Sequence, residues 1–525
     1  MAAVDLAVTG AWIVDGSGRP PFKGCVLVSD GVVADIADAA PVGGAREVFD
    51  AGGLFLAPGF IDCHGHSDIS ILAAPDAFGK ISQGVTTEIV GNCGLSVFPV
   101  SDSNRGHLQG LFRRYGVDIS WSSGADYAAE VDTRRPAINI ASLVGHNTLR
   151  ASVMGYSRRE ASPEDVRGME EALSRESALA RGFSTGLLYV PGMFAGEDEL
   201  VDLVRANAAA GGAHVSHPRS EGDDVLEALG EFLRVSRRAG ASRAHVSHLK
   251  VSGERNWEKL DAVLDMLEAA REEGMVVTAD AYPYVESMTQ LGALLPEPWS
   301  EMGDIELEGA LAEGAERERL ASALERDFAP GRWSSLILVS SSAENAVSGS
   351  TLEENAASAG SPPWEFCVGL LAADAPGTMV ASRGMSRENM ERIVSLPWVC
   401  CCTDETARPP DGAFGAGHPR GFGAFPEFLK VASRMGVPLE EAVRRMTSLP
   451  ASIFGLEGRG ALSRGFRADM VLFDLERLLE SASADFASPL RVNPGVVSVW
   501  VSGSPAYSAG RVVGRHGRFL DVAEG

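Results

Sequence analysis

The sequence predicts an α/β fold: a (β/α)8 TIM barrel with a small β-sandwich domain built from both termini and an insertion over the barrel mouth. Three observations predict it. Eight short apolar runs of strand character alternate with helical runs through the middle of the chain. The pentapeptide "AHVSH" occurs twice, at 213–217 and at 244–248. The two chain ends share a texture of short strands and Gly- or Asp-bearing turns that the middle lacks.

Residues 1–56 hold "DLAVTGAWIVDGSG", "GCVLVSDGVVADIAD" and "REVFDAGGLFLAPG", apolar runs broken by turns. Residues 456–525 continue in the same style, with "GALSRGFRADMVLFD" and "VVSVWVSGSPAYSAGRVVGRHGRFL". Chain ends commonly lie close together, so the two segments are expected to form one small β-domain. Residues 57–455 are the expected barrel. Its strands are "FLAPGFIDCH", "VTTEIVG", "NIASLVG", "FSTGLLY", "GAHVSH", "RAHVSH", "MVVTADAYPY" and "WVCCCTD". Between the two pentapeptides, Val225, Leu226, Leu229, Phe232 and Leu233 fall at helical spacing, acids precede them and Gly240 follows. The repeat therefore marks two successive parallel strands joined by one helix. Over 100 residues separate the last two strands, far more than a βα connection needs. An insertion around 286–365 is expected to act as a lid over the barrel mouth.

Composition narrows the function. Apolar residues make up 45% and charged ones 22%, a globular balance, and no run nears the ~20 apolar residues of a membrane span. A net charge of −25 argues against nucleic acid or an anionic membrane as partner. The seven cysteines are odd in number and the first residues lack a secretory signal pattern. A reducing cytoplasm is therefore expected.

In a (β/α)8 barrel the chemistry gathers at the C-terminal strand ends. The first strand ends at His64 and His66, the second runs into Cys93, the fifth and sixth end at His217 and His248, and the eighth ends at Asp404. Imidazole, thiolate and carboxylate at one rim suit Zn²⁺. His214 and His245 lie three residues before the last histidine of each repeat, on the opposite strand face, and read as structural. Cys63 directly precedes His64 and faces away from a metal. Cys400, Cys401 and Cys402 alternate faces, cannot converge on one ion, and read as core. His107, His146, His418 and His516 fall outside the rim pattern, though His146 follows the third strand closely enough to bond near the site. The glycine-rich "GAFGAGHPRGFGAF" lacks a phosphate-loop pattern.

"APGFIDCHGHSD" resembles the first-strand signature of the amidohydrolase superfamily. "GNCG", "STGLLYVPG", "SHPRSEGDDVLEAL", "SHLK" and "HPRGFGAFPEFL" together resemble its D-aminoacylase (N-acyl-D-amino-acid deacylase) branch. "MTSLPASIFGLEGRGALSRGFRADMVLFD" resembles the return of such chains from barrel to β-domain, so the likeness covers essentially the whole sequence.

The resemblance implies a zinc-dependent hydrolase that cleaves the amide bond of N-acyl-D-amino acids. Cys93, His217 and His248 would hold one zinc tightly. His64, His66 and Asp404 would line a second position that shares Cys93. Asp404 would serve as general base and then acid for a metal-bound hydroxide. Tyr189, Lys250 and Arg420 would grip the substrate carboxylate.

Two features depart from that branch. Glu405 stands where glycine often follows the catalytic aspartate, and is expected to raise the pKa of Asp404 or to meet a cationic substrate side chain. The 405–417 segment is also longer. Three alternatives stay open in the sequence: a cyclic amidohydrolase of hydantoinase or dihydroorotase type, a deacylase of a peptide or natural-product intermediate, and a catalytically silent partner subunit.

Overall fold

The computed structural model describes residues 4–38, 45–329 and 331–524. Eight parallel strands pair strictly in chain order. They are β1 (Phe60–Asp62), β2 (Val85–Val90), β3 (Asn139–Gly145), β4 (Ala180–Gly186), β5 (Ala213–His217), β6 (Ala244–Val246), β7 (Val277–Ala281) and β8 (Val399–Cys401). The helix Val225–Ala239 joins the two pentapeptide strands and ends on Gly240, whose φ of 71° is the left-handed conformation that glycine tolerates.

The first and last strands meet where the site lies. Asp404 N donates to His64 O (2.8 Å) and His66 N to Glu405 O (3.0 Å). Lys80 clamps the same seam. Its wholly buried Nζ reaches Asp62 (2.8 Å), Glu88 (3.0 Å), the Thr403 hydroxyl (2.7 Å) and Glu405 O (2.8 Å). A buried ammonium ion is tolerated only with such pairing, so this lysine ties β1, β2 and β8 together.

The chain ends build one nine-stranded sheet. Its central seam pairs Phe55–Pro58 with Met470–Phe473, Leu56 facing Leu472 in antiparallel register. Between β7 and β8 the insertion forms a second sheet, Glu286–Gln290, Leu336–Ser340 and Met379–Arg383. It runs further than the expected 286–365, because Met379–Arg383 is the middle strand and pairs with both others. Helices of the insertion pack a separate apolar core around Leu307, Leu320, Leu324, Leu352 and Leu371. Among the described residues no helix is long and apolar enough to cross a membrane.

Candidate metal centre and active site

The six donors expected at the strand ends converge. Cys93 Sγ lies 3.3 Å from His64 Nε2 and 3.4 Å from His248 Nε2. Asp404 Oδ1 lies 3.1 Å from His66 Nε2 and 3.7 Å from His64 Nε2. The His217 and His248 rings meet edge to face with centroids 4.5 Å apart.

The backbone is bent to bring them there. Cys93, His248 and Asp404 have φ of 52°, 33° and 47°. Such left-handed values are uncommon without glycine, and strain of this kind concentrates at functional sites. His248 is held by its N–H donating to Asp280 Oδ1 (2.8 Å), and Asp404 by its bond to His64 O. Cys93 is held by close packing. A side chain at Gly186 would strike Cys93 O at 1.8 Å, and one at Gly94 would strike Gly186 N at 2.6 Å. Gly94 of "GNCG" and Gly186 of "STG" are therefore one packing requirement.

These residues fit zinc. His217 is buried, yet neither ring nitrogen has a hydrogen-bond partner. A buried polar group left so is costly, and a metal ion on one ring nitrogen removes much of that cost. Burial pushes the Cys93 thiol up, but His64 and His248 outweigh it and hold the pKa well below the usual thiol range. A thiolate, four imidazoles and a carboxylate form a zinc donor set.

A surrounding ring of groups orients the donors, and two of its carboxylates were missed in the sequence. Asp280, on β7, lies 3.2 Å from His64 Nδ1 and 2.9 Å from His245 Nε2. Glu221 Oε1 lies 2.9 Å from His248 Nδ1 and accepts from Lys250 Nζ at 2.5 Å. Carboxylates on the far nitrogen fix the tautomer that leaves the near nitrogen free for a metal. Asp280 carried a signal, an aspartate inside an apolar strand. Glu221 carried little, because it sits in an acidic run that reads as a helix start.

The expected carboxylate-gripping residues line the same cavity, of about 1080 Å³. Arg420 opens the helix Arg420–Arg434 and pairs through Nη2 with Asp404 Oδ2 at 3.0 Å. Its Nε and Nη1 are buried without partners, and its guanidinium stacks 4.3 Å from the Tyr282 ring centroid. Lys250 Nζ lies 2.8 Å from His248 Nδ1. The Tyr189 hydroxyl meets Thr289 Oγ1 of the insertion at 3.2 Å. Burial pushes the Asp404 carboxyl up, but Arg420 and His66 outweigh it and leave it well below the usual carboxylate range.

Glu405 does not act as expected. It is buried, pairs with Arg408 Nε (3.0 Å) and accepts from His418 N (2.9 Å) and Thr406 N (2.7 Å). Burial raises its pKa, yet Arg408 and Arg420 bring it down to about 2. Its charge is therefore spent inside the wall. Both its oxygens are engaged by Arg408, Thr406 and His418 rather than left for a substrate cation, and the Asp404 carboxyl beside it stays low.

The other histidines and cysteines find separate places. His146 pairs with Glu199 at 2.9 Å, and His418 Nε2 faces Glu286 O at 3.1 Å. Cys63 Sγ donates to Cys401 O at 3.4 Å. Cys400 and Cys402 pack in the barrel interior with Ile61, Ile89 and Leu143, while Cys401 packs in the outer core.

A family model described as "Amidohydrolase family" matches residues 47–380 and 430–507. An N-acyl-D-glutamate deacylase of Alcaligenes xylosoxydans xylosoxydans is 34% identical over 520 residues, 98% of this chain and 96% of that protein. A D-aminoacylase of the same organism is 33% identical over 523 residues, 98% and 97% of the two chains. The crystal structure of N-acyl-D-glutamate deacylase from Bordetella bronchiseptica holds zinc and a phosphonate mimic of the tetrahedral intermediate. It superposes with a TM-score of 0.82 at 32% identity, covering 99% of both chains. An L-hydantoinase from Arthrobacter aurescens shares the fold alone, at 17% identity and a TM-score of 0.55 over 99% of this chain and 100% of that one.

Proposed function

This chain belongs to the amidohydrolase family, in its D-aminoacylase branch, and from that premise we propose that it hydrolyses N-acyl-D-amino acids to a carboxylate and a free D-amino acid. It is a metal-dependent amidohydrolase served by one or two zinc ions. In our reading Cys93, His217 and His248 hold the first, and His64, His66 and Asp404 line the second position. Zinc supplies Lewis acidity toward the amide carbonyl and toward a water molecule.

The chain's own groups do the rest. Arg420, through its unpartnered Nε and Nη1, binds the substrate carboxylate, with Lys250 and the Tyr189 hydroxyl beside it. Asp404 is kept ionised by Arg420 and His66, so it is ready to take the water's proton at Oδ1. It then returns that proton to the departing amine nitrogen. Asp280 and Glu221 keep His64 and His248 turned toward the centre.

The observation that carries this reading is the convergence of His64, His66, Cys93, His248 and Asp404 with a buried His217 that has no hydrogen-bond partner, beside an Arg420 with two free donors. The test is free-amine release from N-acetyl and N-formyl amino acids of both hands, with zinc and after chelation. Turnover of D substrates that stops on chelation and returns with zinc is the expected result. Silence across the panel from zinc-loaded protein would overturn the reading.

A further inference from the structure

The cavity extends from the metal end to the insertion between β7 and β8, where Asp304 is a carboxylate that the proposed reaction does not use. Asp304 lines this extension together with His107, Tyr156, Leu294 and Met302. The His107 and Tyr156 rings stack at 3.8 Å, and His107 lies against Gly303, beside Asp304. Three nearby acids of the insertion each have an arginine. Glu308 binds Arg113 at 2.7 Å, and Glu306 binds Arg158 at 3.2 Å, with Glu301 at 3.9 Å from the same arginine. Among the described residues nothing donates to the Asp304 side chain.

The position is tied to the reacting end. Thr289, bonded to the Tyr189 hydroxyl, is three residues from Gly292, and a side chain at Gly292 would meet Asp304 Oδ1 at 3.1 Å. Three residues span at most about 10 Å. Leu111, Phe112, Leu294 and Met302 give the same cavity apolar lining. Apolar lining together with an unpaired carboxylate and stacked aromatic rings matches an aliphatic chain that ends in a cation. The chain's net charge of −25 draws such ligands in from solution.

We propose that Asp304, with His107 and Tyr156, forms a subsite for an ammonium or guanidinium group carried on an aliphatic chain of the substrate. The inference rests on the deacylase reading and names its substrate class: acylated D-amino acids with a cation on the side chain or at the end of the acyl group. Burial, with Glu308 nearby, lifts the Asp304 carboxyl to about 7 when the subsite is empty, and a bound cation would hold it ionised.

Two matched pairs test this. N-acetyl-D-lysine is compared with N-acetyl-D-norleucine, and 6-aminohexanoyl-D-alanine with hexanoyl-D-alanine, by kcat/KM. The cationic member of one pair should be preferred by about tenfold or more, the range of a charge-assisted contact. Whichever pair shows it identifies the bearer of the charge. In Asp304→Asn the ratio should collapse toward one, and Asp304→Glu should keep it. A ratio of one or less in both pairs, or a ratio unchanged in Asp304→Asn, overturns the subsite while leaving the deacylase reading intact. If no acylated D-amino acid is cleaved, the deacylase reading falls. Calorimetric binding of N-acetyl-D-lysine then decides the subsite: tighter binding to wild type than to Asp304→Asn supports it, and equal or absent binding overturns it.

Discussion

The same five residues, Ala-His-Val-Ser-His, end two neighbouring strands and do different things. In β5, Ala213 and Val215 point into the barrel with Ile61 and Leu143, so His217 points in and His214 points out. His214 Nδ1 faces Ser236 Oγ at 2.8 Å on the covering helix, and burial drives its pKa down to about 3. In β6 the faces are exchanged. Ala244 and Val246 pack outward against Leu229 and Leu260, and His245 turns inward to Thr278 and Asp280. Alternate strands of such barrels supply alternate layers of the interior, which is why one pentapeptide takes two settings. His248 still reaches the centre because its backbone swings to a φ of 33°. Local sequence supplied the donor, and the position of the strand around the barrel decided how it was delivered.

That contrast can be broken at each of its four histidines. His217→Ala or His248→Ala should have the largest effect, losing both retained zinc and turnover. Metal analysis after dialysis alongside amine release would show it. Asp404→Asn gives the reference for chemistry without metal loss: zinc stays, and kcat falls by about 10²–10⁴. His245→Ala should be intermediate. Without it Asp280 loses one of the two rings it spans, and competition against a chelator should read zinc bound about 10–100-fold more weakly. His214→Ala should be smallest at the site. It leaves Ser236 without its partner and costs about 1–3 kcal/mol of stability in denaturant, while zinc affinity and kcat/KM hold. Equal effects of His214→Ala and His245→Ala on zinc would break the comparison.

Much of this was legible in the sequence, for a physical reason. The eight strands carry dense apolar runs, and in this fold strand ends meet at one rim, so His64, His66, Cys93, His217, His248 and Asp404 could be placed together from spacing alone. What escaped depends on three-dimensional facing. Reading both first histidines as structural holds for His214 and misses the place of His245 beside Asp280. Strand parity alone does not say which face is inside. Glu405 looked free beside Asp404 because Arg408, three residues on, gives no sign in sequence that it folds back onto it. Lys80 and Glu221 lie away from strand ends, where a charged residue usually means a solvated surface.

One thiolate, Cys93, and the two final histidines of the repeat are the proposed ligands of a single zinc ion. X-ray absorption at the zinc edge, on protein loaded with one equivalent, tests this most directly. The expected shell has one sulfur at about 2.3 Å and nitrogens at about 2.0–2.1 Å, and the sulfur contribution disappears in Cys93→Ala. A wild-type shell of nitrogen and oxygen only, or a sulfur contribution that survives the substitution, would contradict it.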